Sequence, residues 1–240
     1  RIARLDHRGP RLNSVVALNP AALAEARERD AERRAGRLRG SLHGVPILLK
    51  DNFDTFDLPT THNSPLYHGF RPAADAAVVD LLRSEGAIIL GKTDTTEFAA
   101  AGRNAATGHP HDLSRSPGGS SAGSAAAVAD FHVPLALATQ TGGSTIRPAS
   151  FCGVVGFKPS FGRVSREGVK IYAQSFDTVG WYGRSVDDVA LLASVLGLDE
   201  AFPFALLPSQ PRIAVTPGPY KDRLSAESLM ALLAASERLE

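Results

Sequence analysis

The sequence predicts an α/β layered fold with a largely parallel or mixed sheet, and three observations carry that prediction. Helical and strand patterns alternate along the chain. Residues 75–93, DAAVVDLLRSEGAIILGKT, read as helix, glycine stop and buried strand, which is half of a strand-helix-strand crossover. The run GVPILLKD at 44–51 is too continuously apolar for a strand with a wet face, and VPLALATQ at 133–140 reads as a further strand. At 240 residues and 43% hydrophobic, the chain is long enough to bury a sizeable core. No internal repeat or low-complexity linker divides it, so residues 1–240 read as a single domain.

The elements follow in order. Asn19-Pro20 ahead of AALAEARERDAERRAG offers a capping side chain, a proline at the first helical position and strong helix formers up to Gly36. Glu25, Glu28, Asp30 and Glu32 lie among its arginines, which predicts a solvated helix laced with ion pairs. GVPILLKD then places Lys50 at the end of a buried strand. DTTEFAAAG at 94–102 starts another helix in this reading, and SAAAVAD at 124–130 has strong helix propensity. RSVDDVALLASVLG at 184–197 reads as a helix and RIAVT at 212–216 as a strand. LSAESLMALLAASERLE at 224–240 reads as an amphipathic helix cut by the chain end.

Composition narrows the function. The formal net charge is +1 with both signs interspersed, so there is no broad positive field for a phosphate backbone and no direct nucleic-acid partner is expected. No stretch approaches the apolar length that spans a bilayer, so no membrane partner is expected. Cys152, the single cysteine, cannot form an internal disulfide and suits a reducing, cytoplasmic setting. The chain starts at Arg1 without Met and stops at Glu240 inside a helical pattern, which reads as a fragment and leaves open a lost targeting segment.

Gly, Ser and Pro concentrate between Gly102 and Ser165, and three pieces stand out: GVPILLKDN at 44–52, SPGGSSAGSAAAVA at 116–129 and ATQTGGSTIRPASFCGVVGFKPS at 138–160. A lysine at a strand end is commonly a surface residue, yet the apolar run before Lys50 points its ammonium toward the interior. Lowering a lysine pKa from about 10.4 to roughly 7.5 by burial costs on the order of 4 kcal/mol, and folds accept such a cost mainly at functional sites. Neutral lysine is then available as a general base. In the second piece the serines precede a helix, where hydroxyls capping free N–H groups are the plain structural alternative. A flexible linker is another, and a phosphate loop a third, although the Lys-Ser/Thr pair that closes a P-loop is missing. In the third piece two glycines before Ser144 permit a tight turn with converging N–H groups, as an oxyanion hole needs, though plain Gly-Gly turns are common.

None of the seven histidines recommends itself as a base for a catalytic serine. His109 and His111 have the spacing of a His-x-His metal pair, but there is no HExxH, no second pair and no cysteine cluster to complete a site. Neither a metal nor a cofactor is expected. Cys152 as nucleophile lacks partners in the same way, and a buried packing role suits it better.

Taken together and in this order, the three pieces resemble the amidase signature family, with recognisable texture from about Leu12 to Asp188 and the family core at about 40–190. The resemblance implies an α/β/α sandwich with a mixed, largely parallel central sheet flanked by helices, of which this chain is the N-terminal part, and hydrolysis of amide C–N bonds by a Ser-cisSer-Lys triad through an acyl-enzyme. Lys50, Ser120 and Ser144 occupy the triad positions, and Ser144 falls 24 residues after Ser120, the family's own separation. By that resemblance Ser144 is the nucleophile, Ser120 relays its proton from beside a cis peptide bond, and Lys50 is the base. Backbone N–H groups of Thr141, Gly142, Gly143 and Ser144 line the oxyanion hole, and Ser121 supports the network. Gln140 stands where family members usually carry Asp, and Arg147 follows the nucleophile by three residues instead of two. The implied partner is a small-molecule amide substrate; homo-oligomerisation is left open. A stand-alone amidase is favoured over the family's other branch, a glutamine-dependent amidotransferase A subunit that supplies ammonia to misacylated tRNA within a complex.

Overall fold

The computed structural model describes residues 1–100, 102–198 and 212–239. Residues 1–199 and 200–240 form two compact units, and the first contains the sheet. Its strands are β1 (Val15–Leu18), β2 (Pro46–Lys50), β3 (Ile88–Thr93), β4 (Leu135–Gln140), β5 (Val155–Phe157) and β6 (Thr178–Gly183), in the spatial order β1-β3-β2-β4-β6-β5. β3, β2 and β4 are parallel at the centre, β1 opposes β3, and β6 opposes both β4 and β5. Four strands therefore point one way and two the other, a mixed, largely parallel sheet as the family resemblance implies, where the pattern alone left parallel or mixed open. Helices α1 (Ala22–Arg34), α2 (Ala77–Ser84), α3 (Ala122–Ala129), α4 (Ile146–Cys152) and α5 (Val186–Val195) belong to the same unit. β2, α2 and β3 complete the crossover.

Alternation along the buried strands sorts their side chains into two cores. Ile47, Leu49, Leu135, Leu137 and Trp181 join Val79 and Leu82 of α2 and Leu192 of α5. Leu48, Ala136, Ala138 and Tyr182 join Ala125, Ala126 and Val128 of α3 and Ala149 of α4. Full burial of each large apolar side chain contributes about 1.5–3 kcal/mol, so a one-residue slip that exchanged the two cores would be strongly opposed. Lys50 lies two residues beyond Leu48 and so falls on the face that α3 covers.

α3 is built from Ala, Gly, Ser and Val, and small side chains let its backbone approach its neighbours. Gly123 N donates to Asp94 O at 3.1 Å, and a Cβ at Gly123 would collide with the backbone of Ser14 and Asp94. This close approach fixes where the chain enters α3, which is where Ser120 and Ser121 sit.

Three local expectations are corrected. α1 begins at Ala22 and Asn19 does not cap it. Instead Asn19 Oδ1 accepts from Ala21 N at 2.8 Å while Nδ2 donates to Ile89 O at 2.9 Å, tying the helix entry to β3. The ion-pair lacing does form, with Arg29 and Arg39 both on Glu32. The helix expected at 94–102 is only a turn at Glu97–Ala99, with Ala101 outside the described residues. Thr96 N donates to Ser120 O and Phe98 N to His62 O, and amides spent on tertiary partners cannot extend an i→i−4 ladder. Phe98 and Ala99 take left-handed φ values of 52° and 59°.

In the second unit, α6 (Ala226–Glu237) forms as expected, with Ser225 Oγ accepting from Ser228 N at 3.2 Å; Glu240 lies outside the described residues. The strand expected at 212–216 does not form. Among the described residues no strand pairs with it, and an extended segment without a ladder leaves its backbone to water.

Candidate active site

Lys50 ends β2 with its side chain fully buried. Its Nζ lies 2.7 Å from Ser120 Oγ and 2.8 Å from Thr139 Oγ1, and Asn52 Nδ2 donates to the same Thr139 oxygen at 3.0 Å. Burial pushes the Lys50 pKa down to about 7, and the negative charge of Asp177 opposes this only in part. Lys92, also buried, differs in kind: its Nζ stands 3.3 Å from the Asp51 carboxylate and donates to Phe53 O and Thr60 Oγ1 at 2.7 Å each. Lys92 is thus a structural amine held against a carboxylate and two oxygen acceptors, although burial lowers its pKa too and the Asp51 charge opposes this. Lys50 has hydroxyls for neighbours, and a neutral amine there can accept the Ser120 proton through the same short contact.

Ser120 and Ser121 enter α3, and the Gly119–Ser120 peptide bond is cis. Both serines are buried, so this is no flexible linker. Nor do their hydroxyls cap the helix. Ser120 Oγ meets Lys50, and Ser121 Oγ donates to Thr139 O at 3.2 Å, so both turn toward β4 and the β2 end. Gly118, at φ 80°, carries the loop against Pro148 of α4, where a Cβ would be crowded. Arg147 closes the loop from the other side, donating from Nε and Nη2 to Gly119 O at 3.1 and 2.6 Å.

Thr141, Gly142, Gly143 and Ser144 form the turn between β4 and α4. Gln140 Oε1 accepts from Thr145 N at 2.9 Å and Ile146 N at 3.0 Å, so a neutral amide oxygen tethers the start of α4. Ser144 O accepts from Ser121 N at 3.3 Å and from the Tyr182 hydroxyl at 3.4 Å, which joins the turn to the α3 entry and to β6. The N–H groups of Gly142, Gly143 and Ser144 donate to no acceptor among the described residues. Ser120, Thr141, Gly142, Gly143, Ser144 and Arg147 line one cleft of 310 Å³. Lys50 lies behind Ser120 and is reached through it.

Ser120, Thr141, Gly142, Gly143 and Ser144 thus share one cleft with Lys50 behind Ser120, and Ser121 turns its hydroxyl to Thr139 O. No hydrogen bond joins the Ser144 and Ser120 hydroxyls among the described residues, and Cys152 lies apart on Pro117 O. Sequence reasoning misses Thr139, Asn52, Asp177 and Tyr182. A threonine inside the apolar run LALAT is the one available signal, since a buried hydroxyl requires a partner. His109 and His111 are engaged elsewhere: their Nε2 atoms donate to Phe151 O at 2.9 Å and Cys152 O at 3.0 Å, latching a loop onto the end of α4. Among the described residues no three His, Cys, Asp or Glu side chains gather to hold a metal. Burial pushes the Cys152 thiol up to about 12, which keeps it protonated and unreactive. Among the described residues no helix is long and apolar enough to cross a membrane.

Residues 1–216 match the amidase family profile. The chain belongs to the amidase signature family. Within that family it is 45% identical over 201 residues to the glutamyl-tRNA(Gln) amidotransferase A subunit of Sulfurihydrogenibium sp. (strain YO3AOP1), covering 81% of this chain and 41% of that protein. Among solved structures it is similar to the peptide amidase of Stenotrophomonas maltophilia, with a TM-score of 0.77 and 45% identity over 88% of this chain and 45% of that one. The glutamyl-tRNA(Gln) amidotransferase A subunit of Thermotoga maritima gives a TM-score of 0.69 and 35% identity, over 81% of this chain and 41% of that one. The chain therefore spans a little over two fifths of the length of these relatives.

Proposed function

We propose that this chain carries the catalytic centre of an amidase that hydrolyses the carbon–nitrogen bond of small linear amides through an acyl-enzyme on Ser144. The observation that carries the reading is Lys50: buried, with a pKa of about 7, and 2.7 Å from Ser120 Oγ. Ser144 Oγ attacks the carbonyl carbon. Its proton passes to Ser120 Oγ as the Ser120 proton passes to Lys50 Nζ. The oxyanion is met by N–H groups of the Thr141–Ser144 turn, each such donor being worth about 10²–10³ in rate. Collapse breaks the C–N bond, and the Lys50 ammonium returns a proton through Ser120 to the leaving amine. Water then adds to the acyl-serine by the same relay and releases the carboxylic acid. The step needs neither metal nor cofactor, and the unpaired Cys152 supports a reducing, cytoplasmic setting.

A fluorophosphonate probe applied to the full-length protein tests this reading. The label should map to Ser144 and vanish in Ser144→Ala; no labelling, or labelling of another serine, would defeat it.

A second reading is favoured by the sequence relatives named above: an amidotransferase A subunit that releases ammonia from glutamine inside a complex. The acyl chemistry is shared, so the assay must separate the settings. Hydrolysis of simple amides by the isolated protein supports the first reading, and glutaminase activity that appears only with partner subunits supports the second.

A further inference from the structure

Asp177 immediately precedes β6 and is 7% exposed. Its Oδ1 accepts from Thr141 Oγ1 at 2.5 Å, and Thr141 is the first residue of the turn that holds Ser144. Its Oδ2 accepts from the backbone N–H groups of Tyr172 at 2.6 Å and Ala173 at 3.0 Å. Tyr172 lines the same cleft as Ser120 and Ser144. One carboxylate therefore spans two parts of the cleft wall, using three hydrogen bonds that all come from uncharged donors. Such charge-assisted bonds are short and directional, and the 2.5 Å contact is of that kind.

We propose that Asp177 is a positioning residue of this site, whose carboxylate sets the Thr141–Ser144 turn against the Tyr172–Ala173 segment. The proposal rests on the acyl-enzyme reading above. The Thr141 hydroxyl spends its proton on this carboxylate, so the start of the turn is oriented from Asp177. Misplacing donors around a developing oxyanion by even about 1 Å is enough to lower a rate some 100-fold. The same group has an electrostatic effect, because its negative charge favours the protonated form of Lys50 against burial. Other charges near the site include the Asp51–Lys92 pair, Arg147 on Gly119 O, Glu97 and Lys170, and Arg166, whose Nη1 donates to the Asp177 carbonyl at 3.1 Å. The Asp177 charge opposes the effect of burial on the Lys50 pKa.

The two effects separate by mutation in the full-length protein. Thr141→Val cuts the tether and keeps the charge; Asp177→Asn keeps the shape and removes the charge; Thr141→Ser restores the hydroxyl. The readout is the burst of p-nitrophenol released from p-nitrophenyl acetate, followed from about pH 5 to pH 9. Thr141→Val should acylate about 10- to 100-fold more slowly, with little change in KM and with the acid-limb midpoint where wild type has it. Thr141→Ser should recover most of the rate. Asp177→Asn should move the midpoint to lower pH, since the anion that favoured the Lys50 ammonium is gone. Wild-type acylation together with undiminished rates in Thr141→Val and an unmoved midpoint in Asp177→Asn would overturn the positioning role alone. Failure of wild type to acylate Ser144 would overturn the hydrolase reading, and this proposal with it.

Discussion

Lys50 Nζ lies 2.7 Å from Ser120 Oγ, a contact between residues 70 positions apart that joins the end of β2 to the entry of α3. The geometry follows from packing. Alternation puts Lys50 on the Leu48 face, the Ala-rich α3 lies close on that face, and the loop before α3 delivers Ser120 to the amine. A buried lysine that meets hydroxyls in place of a carboxylate is poised to take up a proton.

That poise has a pH signature. With a pKa of about 7, Lys50 is an ammonium below neutrality and a free amine above it. The acylation rate of Ser144 should therefore rise with pH, reach half its maximum near pH 7 and level off beyond. Pre-steady-state acylation rates across this range check it, and a flat profile would speak against Lys50 as base.

Stability should move with the same group. The folded pKa of Lys50 is depressed from 10.5 to about 7, so between these values the unfolded chain binds a proton that the folded chain does not. Stability then increases with pH across that window, and the full penalty, on the order of 5 kcal/mol, applies below pH 7. Lys50→Met removes the charge at similar volume. Its melting temperature should exceed that of wild type at pH 6, with the advantage shrinking toward pH 10.

Gly123→Ala should be strongly destabilising. The added methyl would strike the backbone of Ser14 and Asp94, which cannot give way as a side chain end could. Overpacking of this sort costs about 1–3 kcal/mol or more, readable as a lower urea midpoint with an unchanged m-value.

Gln140→Ala should loosen the start of α4, because Thr145 N and Ile146 N both lose their acceptor. A loss of about 1–2 kcal/mol in chemical denaturation is expected. Gln140→Glu keeps an acceptor at the same place and should retain most of that stability.

The central strands are legible in the sequence because β2, the first half of β3 and β4 are short, continuous apolar runs, and such runs have few other uses in a chain of this length. β6 is not legible in this way. TVGWYG is buried on both faces and broken by Gly180 and Gly183, so it has neither alternation nor an uninterrupted apolar run. The turn at Glu97–Ala99 shows the opposite failure: good helix formers are overruled by tertiary partners for the Thr96 and Phe98 amides. In the site, resemblance of the three motifs to the amidase signature family marks Lys50, Ser120 and Ser144, but Asp177 lies 36 positions from the Thr141 side chain it binds. Only the fold brings such a pair together, and no local pattern announces it.

Intact mass of the full-length protein exposed to a slowly hydrolysed activated ester, wild type beside Lys50→Met at about pH 8, is the most direct test of the proton relay. Wild type should gain the mass of one acyl group located at Ser144, while the variant, folded by its melting curve, should stay unmodified over the same interval. Equal acylation of the two proteins would contradict the claim that Lys50 draws the proton from Ser144 through Ser120.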